Sequence, residues 1–332
     1  MPGGLISDHP LKARTASLSS MKFGLQHPNY SFDGEGRKVF ETIAARARAA
    51  EGYGFDSFWV MDHLFQIPSV GKMEEPMLEG WTVVSSLIGV TNKIRLGTLV
   101  TGNIYRNPAL LAKMGATVDV LSGGRLFMGV GAGWFEKEAE AYGIPHFDIP
   151  GRLRRLGEAL QIIRGMWSSD GFTFEGRYYQ VNNAMCVPKP VQKPHPPILI
   201  GGGGERVTLK LVAKYGDACN LFGSVETVTK KLGVLRDHCK AVGRDFDDIL
   251  KTKLGHLVIA RDDQQARAMA EGEGIPPDRL EGYAICGSPE SVRKKIGEFA
   301  DAGIEYLMLN VSAGREEEML KLFADEVIQS FL

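Results

Sequence analysis

Asp62 and His63 sit side by side directly after a short apolar run, Ser57 to Met61. An imidazole next to a carboxylate at a strand end suits proton transfer, or a hydrogen bond to a heteroaromatic ring. The competing reading is a histidine that satisfies loop backbone beside an aspartate that caps the turn. His27 is placed in the same way after an earlier strand, with Pro28 behind it, and His256 falls inside a later strand as a packed, hydrogen-bonded residue. The run Gly201, Gly202, Gly203, Gly204, Glu205, Arg206 follows the strand Ile198 to Ile200 and opens a helix. Successive amides at a helix N-terminus make an anion site, to which Arg206 adds a bidentate donor; the plainer alternative is a tight strand-to-helix turn. A second string, Gly129, Gly131 and Gly133, ends in Trp134 and Phe135. It lacks the GxGxxG spacing of a dinucleotide fingerprint and reads as a floor where a flat ligand can approach the main chain. Tyr105, Trp134, Phe135 and Phe222 supply an apolar or aromatic wall for a substrate. The sequence carries no GxxxxGK[ST], GxSxG or HExxH motif, which argues against an NTPase, a serine hydrolase or a zinc peptidase.

These residues follow strands in a chain that alternates strand and helix. Strands are expected at Lys22 to Gln26, Ser57 to Met61, around Ile94 to Leu99, before Gly129, and at Ile198 to Ile200, Ala218 to Leu221, about Thr252 to Ala260 and about Tyr306 to Asn310. Helices are expected from about Arg37 to Gly52, from near Trp81, from Asn107-Pro108 and from about Arg152 to Trp167. Gly171 to Pro197, with alternating aromatics and five prolines, reads as a hairpin and an extended crossing inserted into the pattern. Eight units without a composition shift predict a single (β/α)8 TIM-type barrel with insertions after strands, over a doubly wound sheet. Residues 1–20 are expected to form a disordered tail, with an Arg- and Ser-bearing transit peptide as the other reading, and residues 21–332 the barrel domain.

The composition narrows the partners. A formal net charge of -1 offers no field for nucleic acid or an anionic membrane, and no apolar run reaches the roughly 18 residues of a membrane span. Cys186, Cys219, Cys239 and Cys286 show no CxxC spacing, so neither zinc nor a disulfide framework is indicated and a reducing cytoplasm is the expected compartment. A small-molecule substrate is the expected partner, and a homodimer is left open.

Taken together, FGLQ at the first strand, the Asp-His pair, IRLGTLVTGNIYRNPALLAK, LSGGRLFMGVGAGW, FEGRYYQV and PPILIGGGGER followed by YGDACN resemble the bacterial luciferase-like flavin monooxygenase superfamily. Within it they are most similar to the branch that uses the deazaflavin coenzyme F420; reduced FMN with dioxygen is the alternative cofactor chemistry. The resemblance runs from Met21 to about Leu332 and implies a flavin-type ring in the barrel mouth. It implies His63 near the reactive ring carbon, and a non-proline cis peptide between Leu99 and Val100 in the segment Thr98 to Val100, behind the ring. It also implies that Gly201 to Gly204 contact the phosphate-bearing tail, and that the reaction is hydride transfer with a substrate carbon. The sugar-phosphate dehydrogenases of that branch carry a glutamate where this chain has Trp134, with Glu136 two residues on. An indole relays no proton, so sugar-phosphate oxidation by that scheme is not expected.

Overall fold

A computed structural model of the chain describes residues 21–31, 36–276, 280, 282–312 and 314–331. The tail expected at residues 1–20 lies outside them.

Eight parallel staves follow the chain around a ring. β1 (Lys22–His27) pairs with β2 (Ser57–Val60), and β2 with β3 (Arg95–Thr98). The short β4 (Thr101–Gly102) continues the third stave against β5 (Met128–Gly131), and β5 pairs with β8 (Ile198–Gly201). β8 pairs with β9 (Ala218–Leu221), β9 with β10 (Leu250–Ile259), and β10 with β12 (Tyr306–Asn310). β12 returns to β1, and a parallel bridge between Leu96 and Leu126 joins the third and fourth staves. That closure is the expected barrel and removes the doubly wound alternative, whose sheet would have open edges. The inserted hairpin is β6 (Phe172–Glu175) with β7 (Gln180–Ala184), antiparallel, followed by cis prolines at Pro188 and Pro194. Among the elements without a sequence expectation are a short helix, α4 (Glu136–Ala141), and β11 (Ala284–Gly287), which lengthens the sheet beside β10.

Strand alternation sorts side chains into two cores. Trp59, Phe127, Leu199, Tyr306 and Met308 fill the barrel interior, while a larger apolar layer joins the outer strand faces to the helices. Local chemistry sets the helix starts. In α3 (Pro108–Leu121) the Asn107 side chain accepts from the Ala109 amide at 2.9 Å and Pro108 occupies the first turn; in α5 (Ile149–Ser168) Asp148 accepts from Gly151 at 2.8 Å.

Among the outward residues, a buried lysine breaks the apolar pattern. Lys253 on β10 is fully buried, its ammonium 5.3 Å from the Tyr283 ring centroid and 4.6 Å from that of Phe299, and it donates to the carbonyls of Leu254 and Tyr283, both at 3.1 Å. Burial, assisted by the Lys295 charge, lowers this amine from 10.5 to about 7. Between those values the unfolded chain binds a proton that the folded chain does not, so stability rises with pH across that window. A K253M variant is therefore expected to be more stable at pH 7, on the order of 1–3 kcal/mol by analogy with other buried charges replaced by apolar groups. The gain should shrink as pH approaches 10.5. Melting temperatures of both proteins from pH 6 to 10 test this, and a gain independent of pH rejects it.

Candidate active site at the barrel mouth

The carboxyl ends of the staves surround a cavity of about 1020 Å³. This is the end of a (β/α)8 barrel at which function is expected, because its loops vary while the strands hold their positions.

His63 lines this cavity and is anchored from behind. Its Nδ1 lies 3.0 Å from Oε2 of Glu138, a residue of α4 with no exposed surface. The Tyr105 hydroxyl donates to the same Oε2, while Oε1 accepts from the amides of Leu64 and of Phe65, the latter at 2.9 Å. Burial by itself would raise the Glu138 carboxyl; the hydrogen bonds from His63 and Tyr105, with the neighbouring charge, outweigh it and hold the group below the usual carboxylate range. The Tyr105 phenol is pushed far up, by burial first and then by Glu138, so it stays a donor. An ionised acceptor at Nδ1 fixes the imidazole with Nδ1–H toward Glu138. Nε2, without a protein partner among the described residues, is then the nitrogen that can take or give a proton. Sequence reasoning missed Glu138. FEKEAEA offers three glutamates on alternate positions of one helix, and only the packing of α4 on the loop after β2 selects the middle one. Trp134 does occupy the position after the glycine string, half exposed, with its ring edge-on to His63 at 5.7 Å and stacked on Phe135 at 5.1 Å. The carboxylate absent at 134 is supplied from 138, so the indole does not leave His63 without one.

Asp62 is used differently. Both of its oxygens are taken by Arg106, at 2.6 and 2.9 Å, and Arg106 also pairs with Glu79, which caps α2 (Gly80–Leu87). The ion pair ties the loop after β2 to the segment after β4 and so sets the backbone from which His63 projects.

The peptide between Leu99 and Val100 is cis, as the resemblance implied. The glycines around it have a local reason that the sequence did not show. A Cβ on Gly201 would come within 2.7 Å of Val100 Cγ2, one on Gly131 within 2.9 Å, and one on Gly129 would collide with the Thr98 carbonyl. The glycine string makes room for the bulge of the third stave, and that bulge brings Leu99 and Val100 to the cavity.

Of the other expected residues, Tyr105, Phe222, Gly201 and Gly202 line the cavity, and Gly202 has a φ of 107°. Thr98, Phe135, Gly203, Gly204 and Arg206 do not line it. Thr98 is buried and bonds Thr101 through their hydroxyls at 2.7 Å. Arg206 is exposed, and a Cβ on Gly203 would lie 2.5 Å from Lys231 Nζ, which puts a second cation beside the run. His27 lies on the outer face of β1, against Tyr30 and Phe58, with the Arg46 guanidinium 3.4 Å from its ring nitrogens. Burial, then Arg46, lowers it to about 3. Alternation gives the cavity to its neighbour Gln26. His256, expected as packed barrel, also reaches the cavity, together with Glu273, Asn310 and Ser312.

The family model described as luciferase-like monooxygenase matches residues 21–273. The chain belongs to the luciferase-like monooxygenase family. Within this family, an F420-dependent glucose-6-phosphate dehydrogenase of Amycolatopsis mediterranei is 27% identical over 308 residues, 84% of this chain and 91% of that protein. An FMNH(2)-dependent dimethylsulfone monooxygenase of Pseudomonas putida is 31% identical over 235 residues, 70% of this chain and 58% of that protein. An F420-dependent secondary alcohol dehydrogenase solved with an F420-acetone adduct shares the fold, with a TM-score of 0.81 at 22% identity over 94% of this chain and 99% of the other. Luciferase-like proteins similar to this chain thus include both F420-dependent and FMN-dependent oxidoreductases. Among the described residues no helix is long and apolar enough to cross a membrane.

Proposed function

We propose that the chain is an oxidoreductase that transfers a hydride between the deazaflavin coenzyme F420 and a small, largely apolar or aromatic substrate. The observation that carries this reading is the His63–Glu138–Tyr105 arrangement on the cavity wall. The cavity also fits a planar ring with a substrate beside it: it is roomy, and five glycines, Gly102, Gly131, Gly133, Gly201 and Gly202, are part of its lining. When bound, the deazaflavin supplies a carbon that gives or accepts a hydride. The chain's own work is then to place one proton. His63 takes or gives it at Nε2, Glu138 keeps the other ring hydrogen at Nδ1, and Tyr105 with two backbone amides holds Glu138 in place. Trp134 and Phe222 give the substrate an apolar surface.

Support for the deazaflavin comes from the breadth of the match to the F420-dependent relative, which spans most of both chains. The higher identity of the FMNH(2)-dependent relative favours the alternative, a reduced-FMN monooxygenase. Fluorescence titration of the purified protein with each cofactor separates them. Tighter binding of F420 is expected; micromolar affinity for FMN with no detectable F420 binding moves the protein to the monooxygenase reading.

The glycine run and its two cations are assigned to the phosphate-bearing tail. R206A is expected to weaken FMN or F420 binding by about tenfold, the scale of one charge-assisted contact, while leaving a ring without phosphate, lumiflavin, unaffected. Equal losses for both would mean that Arg206 shapes the pocket and holds no phosphate.

A further inference from the structure

Two and three staves round the rim from the glycine run, a second polar cluster is built from three elements. His256 comes from β10, Glu273 from the end of α8 (Asp263–Gly272), and Asn310 and Ser312 from the end of β12 and the loop after it. Its hydrogens can be assigned from one fixed point. The Leu99 carbonyl only accepts, so it takes the Gln26 amide N–H at 3.5 Å; the Gln26 oxygen then accepts from the Asn310 amide nitrogen at 2.9 Å. The Asn310 oxygen is left to accept at 2.6 Å from His256 Nδ1, which must carry hydrogen. On the other side of the ring, Nε2, Ser312 Oγ and Glu273 Oε2 form a triangle of 3.2, 2.6 and 3.3 Å sides. The serine hydroxyl has one hydrogen for these three contacts. A neutral imidazole and an ionised carboxylate would therefore set lone pairs against each other, and the triangle closes when it holds one further proton.

We propose that His256 and Glu273 share this proton and form a second subsite of the cavity, which selects substrates bearing a neutral or cationic hydrogen-bond donor, a hydroxyl or an amine, and rejects anions. Glu273 Oε1 has no hydrogen-bond partner among the described residues and is the acceptor for that group. Burial by itself would raise the Glu273 carboxyl, but the hydrogen bonds from His256 and Ser312, with the charges of His256 and Arg315, hold it below its ordinary value. The other titratable neighbour is the Cys286 thiol on β11, raised by burial and in the field of Glu273. Among the described residues that line the cavity none is lysine or arginine, and the hydrogen of His256 Nε2 is committed to Glu273 and Ser312, so the group left to meet a ligand is the carboxylate oxygen Oε1, which accepts a donor and repels an anion. The inference rests on the cavity being the substrate site, as proposed above, and adds the class of group that enters it.

The test uses the full chain without cofactor, so that its outcome is independent of which flavin binds. Cyclohexanol, cyclohexylamine and cyclohexanecarboxylate present one apolar body with a neutral donor, a cationic donor and an anion. Binding is followed by NMR at the His256 side chain, whose signals are assigned by their loss in H256Q. The alcohol and the amine are expected to bind at least tenfold more tightly than the carboxylate. E273Q should remove the Nε2 hydrogen and abolish the preference. Equal or tighter binding of the carboxylate by the wild-type protein overturns the proposal, as does an unchanged His256 spectrum in folded E273Q. The wild-type comparison needs no variant, so misfolding of E273Q would leave it decisive. Failure here with intact F420 binding removes the subsite alone, whereas failure of F420 binding with intact selectivity removes the cofactor reading alone.

Discussion

An H63N variant is expected to turn over about a hundredfold more slowly than the wild-type protein, the usual cost of losing a positioned acid-base group, with cofactor affinity changed by much less. His63 Nε2 is the nitrogen left for the substrate once Nδ1 is committed to Glu138. E138Q tests the same arrangement from behind. A glutamine in that place can still accept from the Leu64 and Phe65 amides through one atom, but its NH₂ then faces Nδ1 and forces the hydrogen of the imidazole onto Nε2. The base is turned into a donor without removing the ring. Turnover in E138Q should therefore fall by at least tenfold while the cofactor still binds, and Y105F, which removes only one support of the carboxylate, should lose less. Steady-state kinetics alongside fluorescence titration separate these effects. An H63N enzyme with unchanged turnover would make His63 a loop residue, the plainer reading that its sequence position also allowed.

The barrel was legible because each stave is a short apolar run ending in turn chemistry, and because a helix start such as Asn107-Pro108 is written in local residues, whereas α5 begins at Ile149, ahead of the expected Arg152. His63 was legible for the same reason: it follows a strand by three residues, and the fold places such residues at the mouth. Its partner was not. Glu138 lies 75 positions away, and nothing in the period of a helix or strand records which of several carboxylates meets a given ring. His27 failed on a finer point. Position after a strand marks the rim, but alternation decides the face, and with Gln26 inward His27 must face the helices. The same rule puts Thr252, Leu254 and His256 inward and Lys253 outward along β10, so the cavity role of His256 was available from its register and was overlooked. Arg206 illustrates the opposite case: its neighbours Gly201 and Gly202 reach the cavity, while the guanidinium lies on the exposed turn beyond them, where only binding data assign it a ligand.

The glycines of the fourth stave carry the second large expectation, because their reason is steric. Gly129 is fully enclosed between neighbouring staves, and a Cβ there would sit well inside the van der Waals radius of the Thr98 carbonyl oxygen, with Val100 Cγ1 at 3.1 Å on the other side. Backbone cannot yield as a flexible side-chain end can, so G129A must push the third stave away from the fourth or distort both. Overpacking of this kind costs about 3 kcal/mol. For a chain of this size, with about 2.1 cal/mol/K of unfolding entropy per residue, that is a fall in melting temperature of roughly 4 °C. Gly203 is the control. Its Cβ would meet only the mobile end of Lys231, so G203A should cost far less stability and show its effect, if it has one, in cofactor affinity. Thermal melts of the two variants make the comparison. A G129A protein as stable as the wild type would mean that the bulge is not held by contact with the fourth stave, and the glycine string would return to its first reading as a floor cleared for the ligand alone.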